Sequence, residues 1–108
     1  MGTYVLKSSG AQFHFTLDAE NEKVILSSER YTTKSNALGG IQSVRENSSL
    51  DSRYEKKNAS NGSPMFNLKG GNGQVIGTSE TYSSSSAREV GIASVKANGP
   101  TSPTRDDT

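Results

Sequence analysis

Polar and hydrophobic residues alternate in two stretches of the chain. In residues 13–19, Phe13, Phe15 and Leu17 fall on odd positions and polar residues fall between them. Residues 65–70 keep the same register. A period of two is typical of a β-strand that is buried on one face. The pattern therefore predicts two half-buried strands about fifty residues apart.

Each alternating stretch continues into a polar turn and a second strand. The turns contain Asn21 and Asn72, and Asn and Gly suit tight reversals because they tolerate positive φ. Residues 23–29 and 74–80 follow and are rich in β-branched Val and Ile, which favour strands. Each half therefore contains a predicted β-hairpin. Shorter segments ahead of the hairpins predict one further strand in each half: residues 4–8 and 54–58.

After the second hairpin strand the hydrophobic period changes from 2 to 3.6. Ala37, Ile41 and Val44 stand at i, i+4 and i+7, and Gly91 and Val95 lie on the matching stripe. This spacing predicts one amphipathic helix in each half. Residues whose side-chain oxygens can accept from the N–H groups of the first helical turn precede both helices, which predicts N-caps. Asn or Asn-Gly follows each helix, which predicts residues in left-handed conformation at the C-terminal ends. The predicted caps are Thr32 or Thr33 and Ser83 or Ser84, and the predicted exits are Asn47 and Asn98-Gly99.

The two halves are copies of one unit. Aligning the chain with itself at an offset of 51 residues gives 14 identities in 33 positions between residues 15–47 and 66–98. A unit this small buries its apolar face poorly when it is alone. The two copies are therefore expected to share one core as a pseudo-dimer, so that the chain is a monomer.

The predicted fold class is α+β. Two tandem β-β-β-α repeats form one antiparallel sheet with two helices packed on one face, related by a pseudo-twofold axis. The chain is a single domain over residues 1–108, with repeats at about 3–50 and 54–99. Residues 100–108 contain no large apolar side chain and are expected to be a flexible tail or a weak edge strand.

These paired motifs resemble the YegP-like family of small bacterial proteins of unknown function. The resemblance rests on Ser-Glu-x-Tyr followed by Gly-Ile-x-Ser-Val, found twice, and covers residues 4–98. It implies a single sheet in which the strand after each helix is exchanged between the halves. Residues 53–57 would be the strand that crosses from the first half. Residues 104–108 would be its counterpart, although their sequence TRDDT is a poor strand.

Composition excludes several classes of function. Twelve Lys and Arg against eleven Asp and Glu give a net charge of +1, so a nucleic-acid partner is not expected. The chain has no cysteine, and its lone His14 has no metal-ligand spacing around it, so no cofactor or metal is predicted. No segment has the length and hydropathy of a signal peptide or membrane span, which predicts a cytoplasmic protein without a membrane partner.

The repeated Ser-Glu-x-Tyr corners are the candidate binding residues. Each corner joins a strand to a helix. A carboxylate there would be stabilised by the positive N-terminus of the helix. The serine would bond the same corner, and the tyrosine ring would pack under the helix. The paired glutamates offer a second interpretation as an acid/base pair, which requires them to lie about 5–10 Å apart. The candidates are Ser28, Glu29, Tyr31, Ser79, Glu80 and Tyr82.

Glycines also recur at equivalent positions. Gly40 and Gly91 lie on the buried stripes of the helices, which indicates close approach of helix backbone and sheet rather than a ligand contact. Residues 70–73, GGNG, resemble a phosphate loop but lead into a strand, so a hairpin turn is predicted.

No catalytic set is visible in the sequence. The favoured prediction is a non-enzymatic interaction domain that binds a protein or peptide through the open sheet face or an exposed edge strand. The alternatives are a weak nucleic-acid binder, which would gather the lysines on one face, and an enzyme that uses Glu29 and Glu80. The lysines in question are Lys7, Lys34, Lys56, Lys57 and Lys96.

Overall fold

The computed structural model describes residues 2–108, which form one seven-stranded sheet and two α-helices. The strands and helices in chain order are β1 (Thr3–Ser9), β2 (Gln12–Asp18), β3 (Val24–Ser28), α1 (Lys34–Asn47), β4 (Tyr54–Asn58), β5 (Pro64–Lys69), β6 (Val75–Thr78), α2 (Ser85–Asn98) and β7 (Thr104–Asp107). A short 3-10 turn, Asp51–Arg53, precedes β4. The predicted order β-β-β-α therefore occurs twice, and a seventh strand follows.

The sheet has the strand order β4-β5-β6-β3-β2-β1-β7. Every neighbouring pair is antiparallel except β1 and β7, which run parallel. The sheet is thus mixed, whereas the sequence predicted an antiparallel one. The reason is that β7 is reached through the crossover helix α2 and adds to the far edge of the first repeat.

The strand after each helix does pair with the other repeat, but the two exchanges are not equivalent. Strand β4 follows α1 and pairs with β5 of the second repeat. The corresponding place beside β2 is already occupied by β1, so β7 lies one position further out. The structural counterpart of β4 is therefore β1, because Tyr4 faces Leu17 just as Tyr54 faces Leu68.

The hairpin turns use asparagine side chains as acceptors. The Oδ1 atoms of Asn21 and Asn72 accept from the N–H groups two residues further on, at 3.0 and 3.1 Å. The positive φ angles occur one residue later, at Glu22 (66°) and Gly73 (82°). Gly73 lies in the predicted hairpin turn of residues 70–73, between β5 and β6. Both asparagines therefore stabilise their turns by side-chain hydrogen bonds and not by adopting a left-handed backbone conformation.

A pseudo-twofold axis passes between β3 and β6. Ser27 pairs directly with Thr78, which is its own equivalent in the second repeat. A residue that meets its own counterpart must lie beside the axis. Leu26 likewise packs against its counterpart Gly77, and a Cβ atom added to Gly77 would lie 2.6 Å from Leu26 Cγ.

The core lies between the sheet and the two helices. One cluster of buried residues draws on both repeats, with Phe15 and Leu17 from β2, Phe66 and Leu68 from β5, and the apolar stripes of α1 and α2. In each repeat a phenylalanine ring is packed between two tyrosines, edge-on to one and stacked on the other. The aromatic triads are Tyr4, Phe15 and Tyr31, and Tyr54, Phe66 and Tyr82.

Both helices begin at predicted caps. Thr33 accepts from Asn36 N–H at 3.0 Å and Ser84 accepts from Ala87 N–H at 3.1 Å. The N-caps are thus Thr33 rather than Thr32, and Ser84 rather than Ser83.

The predicted left-handed exits are wrong. Ser48 (φ −65°) and Gly99 (φ −56°) follow the helices in right-handed conformation. The carbonyl oxygens at these positions accept instead from tyrosine hydroxyls of the sheet, Tyr54 at 2.6 Å and Tyr4 at 2.7 Å. The helix ends are therefore capped by the sheet and need no left-handed residue.

Candidate functional site

The serines of the two corners bind to the neighbouring strand. Ser28 Oγ accepts from Phe15 N–H at 2.8 Å and donates to the Glu29 carbonyl at 2.7 Å. Ser79 repeats both bonds with Phe66 and Glu80, at 2.9 and 2.7 Å. The sequence predicted that these serines would bond the corner, and each one donates to the carbonyl of the corner glutamate. Their bonds also close the ends of the β2–β3 and β5–β6 hairpins, which is a structural role.

The tyrosines of the corners lie under the helices, as predicted. Tyr31 stacks on Phe15 with ring centroids 6.3 Å apart, and a Cβ at Gly40 would lie 2.8 Å from Tyr31 Cζ. Tyr82 meets Gly91 in the same way. The helical glycines therefore make room for the tyrosine rings. Burial, and then the neighbouring glutamate, raises the pKa of both phenols, so both are neutral hydrogen-bond donors at physiological pH.

The glutamates of the corners are exposed and lie apart from each other. Neither Glu29 nor Glu80 forms a side-chain hydrogen bond or ion pair within residues 2–108, and the helix N-termini are capped by Thr33 and Ser84 instead. The register of β3 and β6 places the two glutamates at opposite ends of that pair, separated by about four residues or about 13 Å along the strands. The structure does not bring them together as an acid/base pair.

An apolar groove lies beside Tyr82. It has a volume of about 370 Å³ and runs between α2 and the turn that joins β2 to β3. Its wall is mostly small and aliphatic, and Lys23 is its one charged side chain. The groove is lined by Ala19, Asn21, Lys23, Ile25, Tyr82, Ala87, Val90, Gly91 and Ser94.

The face of the sheet away from the helices is polar. Glu55 accepts from Asn67 and Lys69, both at 3.1 Å, and Thr78 donates to Asn67 at 2.9 Å. The bonds from Asn67 and Lys69 hold the pKa of the Glu55 carboxyl below its usual range. On the same face His14 is half-buried, and burial together with nearby Arg30 and Lys7 lowers the pKa of its imidazole. Glu55, Asn67, Lys69 and Thr78 therefore satisfy one another, whereas the buried Nδ1 of His14 has no hydrogen-bond partner among residues 2–108.

The two edges of the sheet differ. On one edge β7 covers β1, and Tyr4 donates its N–H to Pro103 O at 2.8 Å. On the other edge β4 pairs with β5 on its inner side and with no strand of residues 2–108 on its outer side. The covered strand carries buried Leu6, whereas the uncovered strand carries exposed Lys56 at the equivalent position. The predicted exposed edge strand is thus β4.

The lysines of the nucleic-acid alternative do not form one patch. Lys34, Lys56 and Lys96 form ion pairs with Asp106, Glu89 and Asp51. Lys7 lies on β1 and Lys57 on β4, which are separated by four strands of the sheet. No cationic stripe that could follow a phosphate backbone results from these positions.

The chain also matches known proteins over its full length. The family described as "Domain of unknown function (DUF1508)" matches it twice, over residues 8–55 and 59–106. It is 52% identical over 107 residues to a UPF0339 protein of Bordetella pertussis, covering 99% of this chain and 96% of that protein. It is 55% identical over 102 residues to the UPF0339 protein YegP of Escherichia coli strain K12, covering 94% and 93%.

The chain belongs to the DUF1508 family. Two solution NMR structures have the same fold. One, of YegP from E. coli, described as a protein of unknown function, has a TM-score of 0.92 at 54% identity and covers 99% of this chain and 93% of that one. The other, of a UPF0339 protein from Shewanella oneidensis, has a TM-score of 0.90 at 54% identity and covers 97% and 90%. The resemblance to YegP-like proteins is confirmed, and these relatives are uncharacterised.

The two DUF1508 units match the strand exchange of the structure. The first match begins near the end of β1 and ends at the start of β4, and the second runs from just before β5 into β7. The first match thus contains β2, β3 and α1 with the last two residues of β1 and the first two of β4, and the second contains β5, β6, α2 and most of β7.

Metal clusters and membrane-spanning helices are not found in the described part of this DUF1508 protein. Residues 2–108 contain no group of three or more His, Cys, Asp or Glu side chains that could hold a metal ion. None of the helices in that range is long and apolar enough to span a membrane.

Sequence reasoning missed the groove beside Tyr82. Differences between the two DUF1508 units could have indicated the groove. The second unit has Ala87 and Val90 where the first has Asn36 and Gly39, and the first has Lys23 where the second has Gln74. These positions are not among the identities that define the repeat.

Proposed function

We propose that the protein is a non-catalytic interaction domain that binds an extended acidic segment of a partner protein as an added strand on the outer edge of β4. The supporting observation is β7, which lies parallel on the equivalent edge of β1. The same fold therefore already carries an added strand on one of its two equivalent edges.

The backbone of β4 is oriented for such pairing. In an antiparallel ladder alternate residues direct their N–H and C=O groups toward and away from the partner strand. Tyr4 directs its N–H outward to Pro103, so Leu6 has the same orientation. Lys56 is the equivalent of Leu6, because Leu6 pairs with Phe15 and Lys56 pairs with Phe66. The backbone groups of Lys56 therefore face outward from the sheet.

The charges beside β4 favour an acidic occupant. Lys56 and Lys57 stand on opposite faces of this strand, and the Arg88 guanidinium donates to Lys57 O at 3.0 Å. Lys56 is paired with Glu89, whereas Lys57 has no ion pair within residues 2–108. The carboxylate nearest to Lys57 on this strand is Glu55, which is bonded to Lys69. The pKa of this carboxyl is lowered by its bonds from Asn67 and Lys69 and also by the charge of Lys57. Lysines on an edge strand oppose pairing with an identical edge and attract a strand of opposite charge. A second copy of β4 is thus disfavoured relative to an acidic peptide.

The test is a titration of the isotope-labelled protein with a blocked hexapeptide of alternating valine and aspartate, followed by amide NMR. Saturable shifts are expected at Tyr54–Asn58, with slower hydrogen exchange of the Lys56 N–H. The matched peptide with lysine in place of aspartate is expected not to bind. Equal shifts with both peptides, or no shift in β4 at millimolar peptide, would overturn the proposal.

Two charge reversals provide a matched pair of variants. Lys57→Glu places an acid beside the open edge and is expected to weaken binding at least about tenfold, since it replaces an attraction with a repulsion. Lys7→Glu makes the same change at the equivalent position of β1, whose edge is covered by β7, and is expected to leave affinity unchanged. If both variants lose affinity equally, the peptide is bound by general charge and not at β4.

A further inference from the structure

The groove beside Tyr82 has unused hydrogen-bond donors. The Lys23 ammonium and the Tyr82 hydroxyl form no hydrogen bond or ion pair with residues 2–108. The other polar groups are engaged, since Asn21 Oδ1 accepts from Lys23 N–H and Ser94 accepts from Asn98. A ligand that fits the groove must therefore offer acceptors.

The charge in the groove is positive although its turn is acidic. Glu20 and Glu22 flank Asn21 in the same turn, but both line a separate depression around Arg105. Glu20 also lines a second depression next to Asn98, and neither glutamate lines the groove itself. Lys23 is thus the charged side chain that an occupant of the groove would meet.

The apolar wall has one side from each repeat, with Ala19 and Ile25 from the first and the residues of α2 from the second. The equivalent helix positions on α1 are Asn36 and Gly39, where α2 has Ala87 and Val90. Val90 is 71% exposed, the largest exposure among the exposed large hydrophobic residues of the described chain. Folding of the duplicated unit does not require an apolar residue there, because the first repeat has none. The groove therefore lies between the repeats and combines the apolar residues of α2 with Lys23 of the first repeat. The symmetry-equivalent positions carry Asn36, Gly39 and Gln74 and lack both features.

We propose that this groove binds a small amphipathic carboxylate, with its apolar body over Ile25, Ala87 and Val90 and its carboxylate paired with Lys23. The volume of about 370 Å³ lies within the range of small-molecule sites. Small-molecule sites typically combine an apolar wall with a few polar groups that fix the orientation of the ligand. The site is separate from the β4 edge, because Arg88 and Glu89 contact β4 whereas Ala87, Val90 and Gly91 line the groove.

The test uses octanoate as the probe, with octylammonium and acetate as matched compounds, and follows amide shifts of the whole chain. Octanoate is expected to give saturable shifts at Lys23, Val90 and Gly91. Octylammonium has the same tail and the opposite charge and is expected to bind at least about tenfold more weakly, because a charge-assisted hydrogen bond is lost. Acetate has no tail and is expected not to shift these amides. Equal affinity for octanoate and octylammonium would overturn the proposal.

Exposed positions allow variants that keep the fold. Lys23→Gln installs the residue that the second repeat carries at the equivalent position, Gln74, and is expected to weaken octanoate binding about tenfold. Val90→Asp places an acid on the apolar wall and is expected to abolish the shifts. Leu38→Asp, an equivalent change at a 43% exposed residue of α1, serves as the control and is expected to retain binding. Unchanged affinity in Val90→Asp, with a native amide spectrum, would show that the groove is not the site.

Discussion

The contact between Leu26 and Gly77 across the pseudo-twofold axis can be tested by exchanging the two residues. They occupy equivalent positions of the two repeats, and there is room for one large side chain between them. Leu26 pairs with Leu17, and Gly77 pairs with Leu68, the equivalent of Leu17. A leucine at position 77 would therefore meet the same kind of neighbours as the leucine at position 26.

Each single change is expected to be costly. In Gly77→Leu the new Cβ would lie 2.6 and 2.7 Å from Leu26 Cγ and Cδ2. Overpacking of this kind costs about 1–3 kcal/mol or more. Leu26→Gly removes a fully buried side chain, at about 2–5 kcal/mol for the cavity and about 0.5–1 kcal/mol more for a glycine in a strand. Additive costs would therefore total about 4–9 kcal/mol, which is most of the stability of a typical domain.

The exchanged variant Leu26→Gly/Gly77→Leu is expected to regain most of this loss and to fall within about 2 kcal/mol of the parent protein. Urea denaturation followed by circular dichroism measures the four free energies of unfolding in the cycle. An unchanged m-value would indicate that the denatured states are comparable. If the double variant is as unstable as the sum of the single variants, the two positions do not share one space and the axis does not pass between them.

Four further outcomes are expected. Thr33→Ala should lower the free energy of unfolding, measured by thermal denaturation, by about 1 kcal/mol because an N-cap hydrogen bond is lost. Glu29→Ala, at an exposed residue, should change this free energy by less than about 0.5 kcal/mol. Burial raises the pKa of all four tyrosines, so their contribution to stability should be constant below pH 10 and fall above it, and tyrosinate absorbance should appear together with unfolding. Pairing with Lys34 lowers the pKa of Asp106, so the protection factors of the β7 amides, corrected for intrinsic exchange rates, should fall as pH falls below about 4, and Asp106→Asn should remove that dependence. The isolated first repeat, residues 1–50, should be unfolded or dimeric by sedimentation, because its core is shared with the second repeat.

The local structure followed from the sequence because it depends on short-range patterns. Alternation at Phe13, Phe15 and Leu17 predicted β2, and the i, i+4, i+7 spacing from Ala37 to Val44 predicted α1. Side-chain acceptors predicted the helix starts to within one residue. Duplication predicted that both halves would have the same elements, and the structure agrees with this down to paired hydrogen bonds such as those of Ser28 and Ser79.

Candidate functional surfaces depended on contacts that no short-range pattern contains. The Ser-Glu-x-Tyr corners are conspicuous in the sequence, but their serines and tyrosines are used to hold the hairpins and helices together. The groove and the open edge arise where the repeats differ. Whether those differences create a functional surface depends on which equivalent positions the fold covers and which it leaves exposed.

The sequence by itself determined the repeat, its secondary structure and the family, because each of these depends on local periodicity and on identity between segments. The tertiary structure decided the parallel position of β7, the glycine at position 77 and the tyrosine caps on the helix ends. Each of these depends on how two similar units pack together in one sheet. Only one large side chain fits between Leu26 and Gly77 there, and β1 already fills the place that β7 would otherwise take.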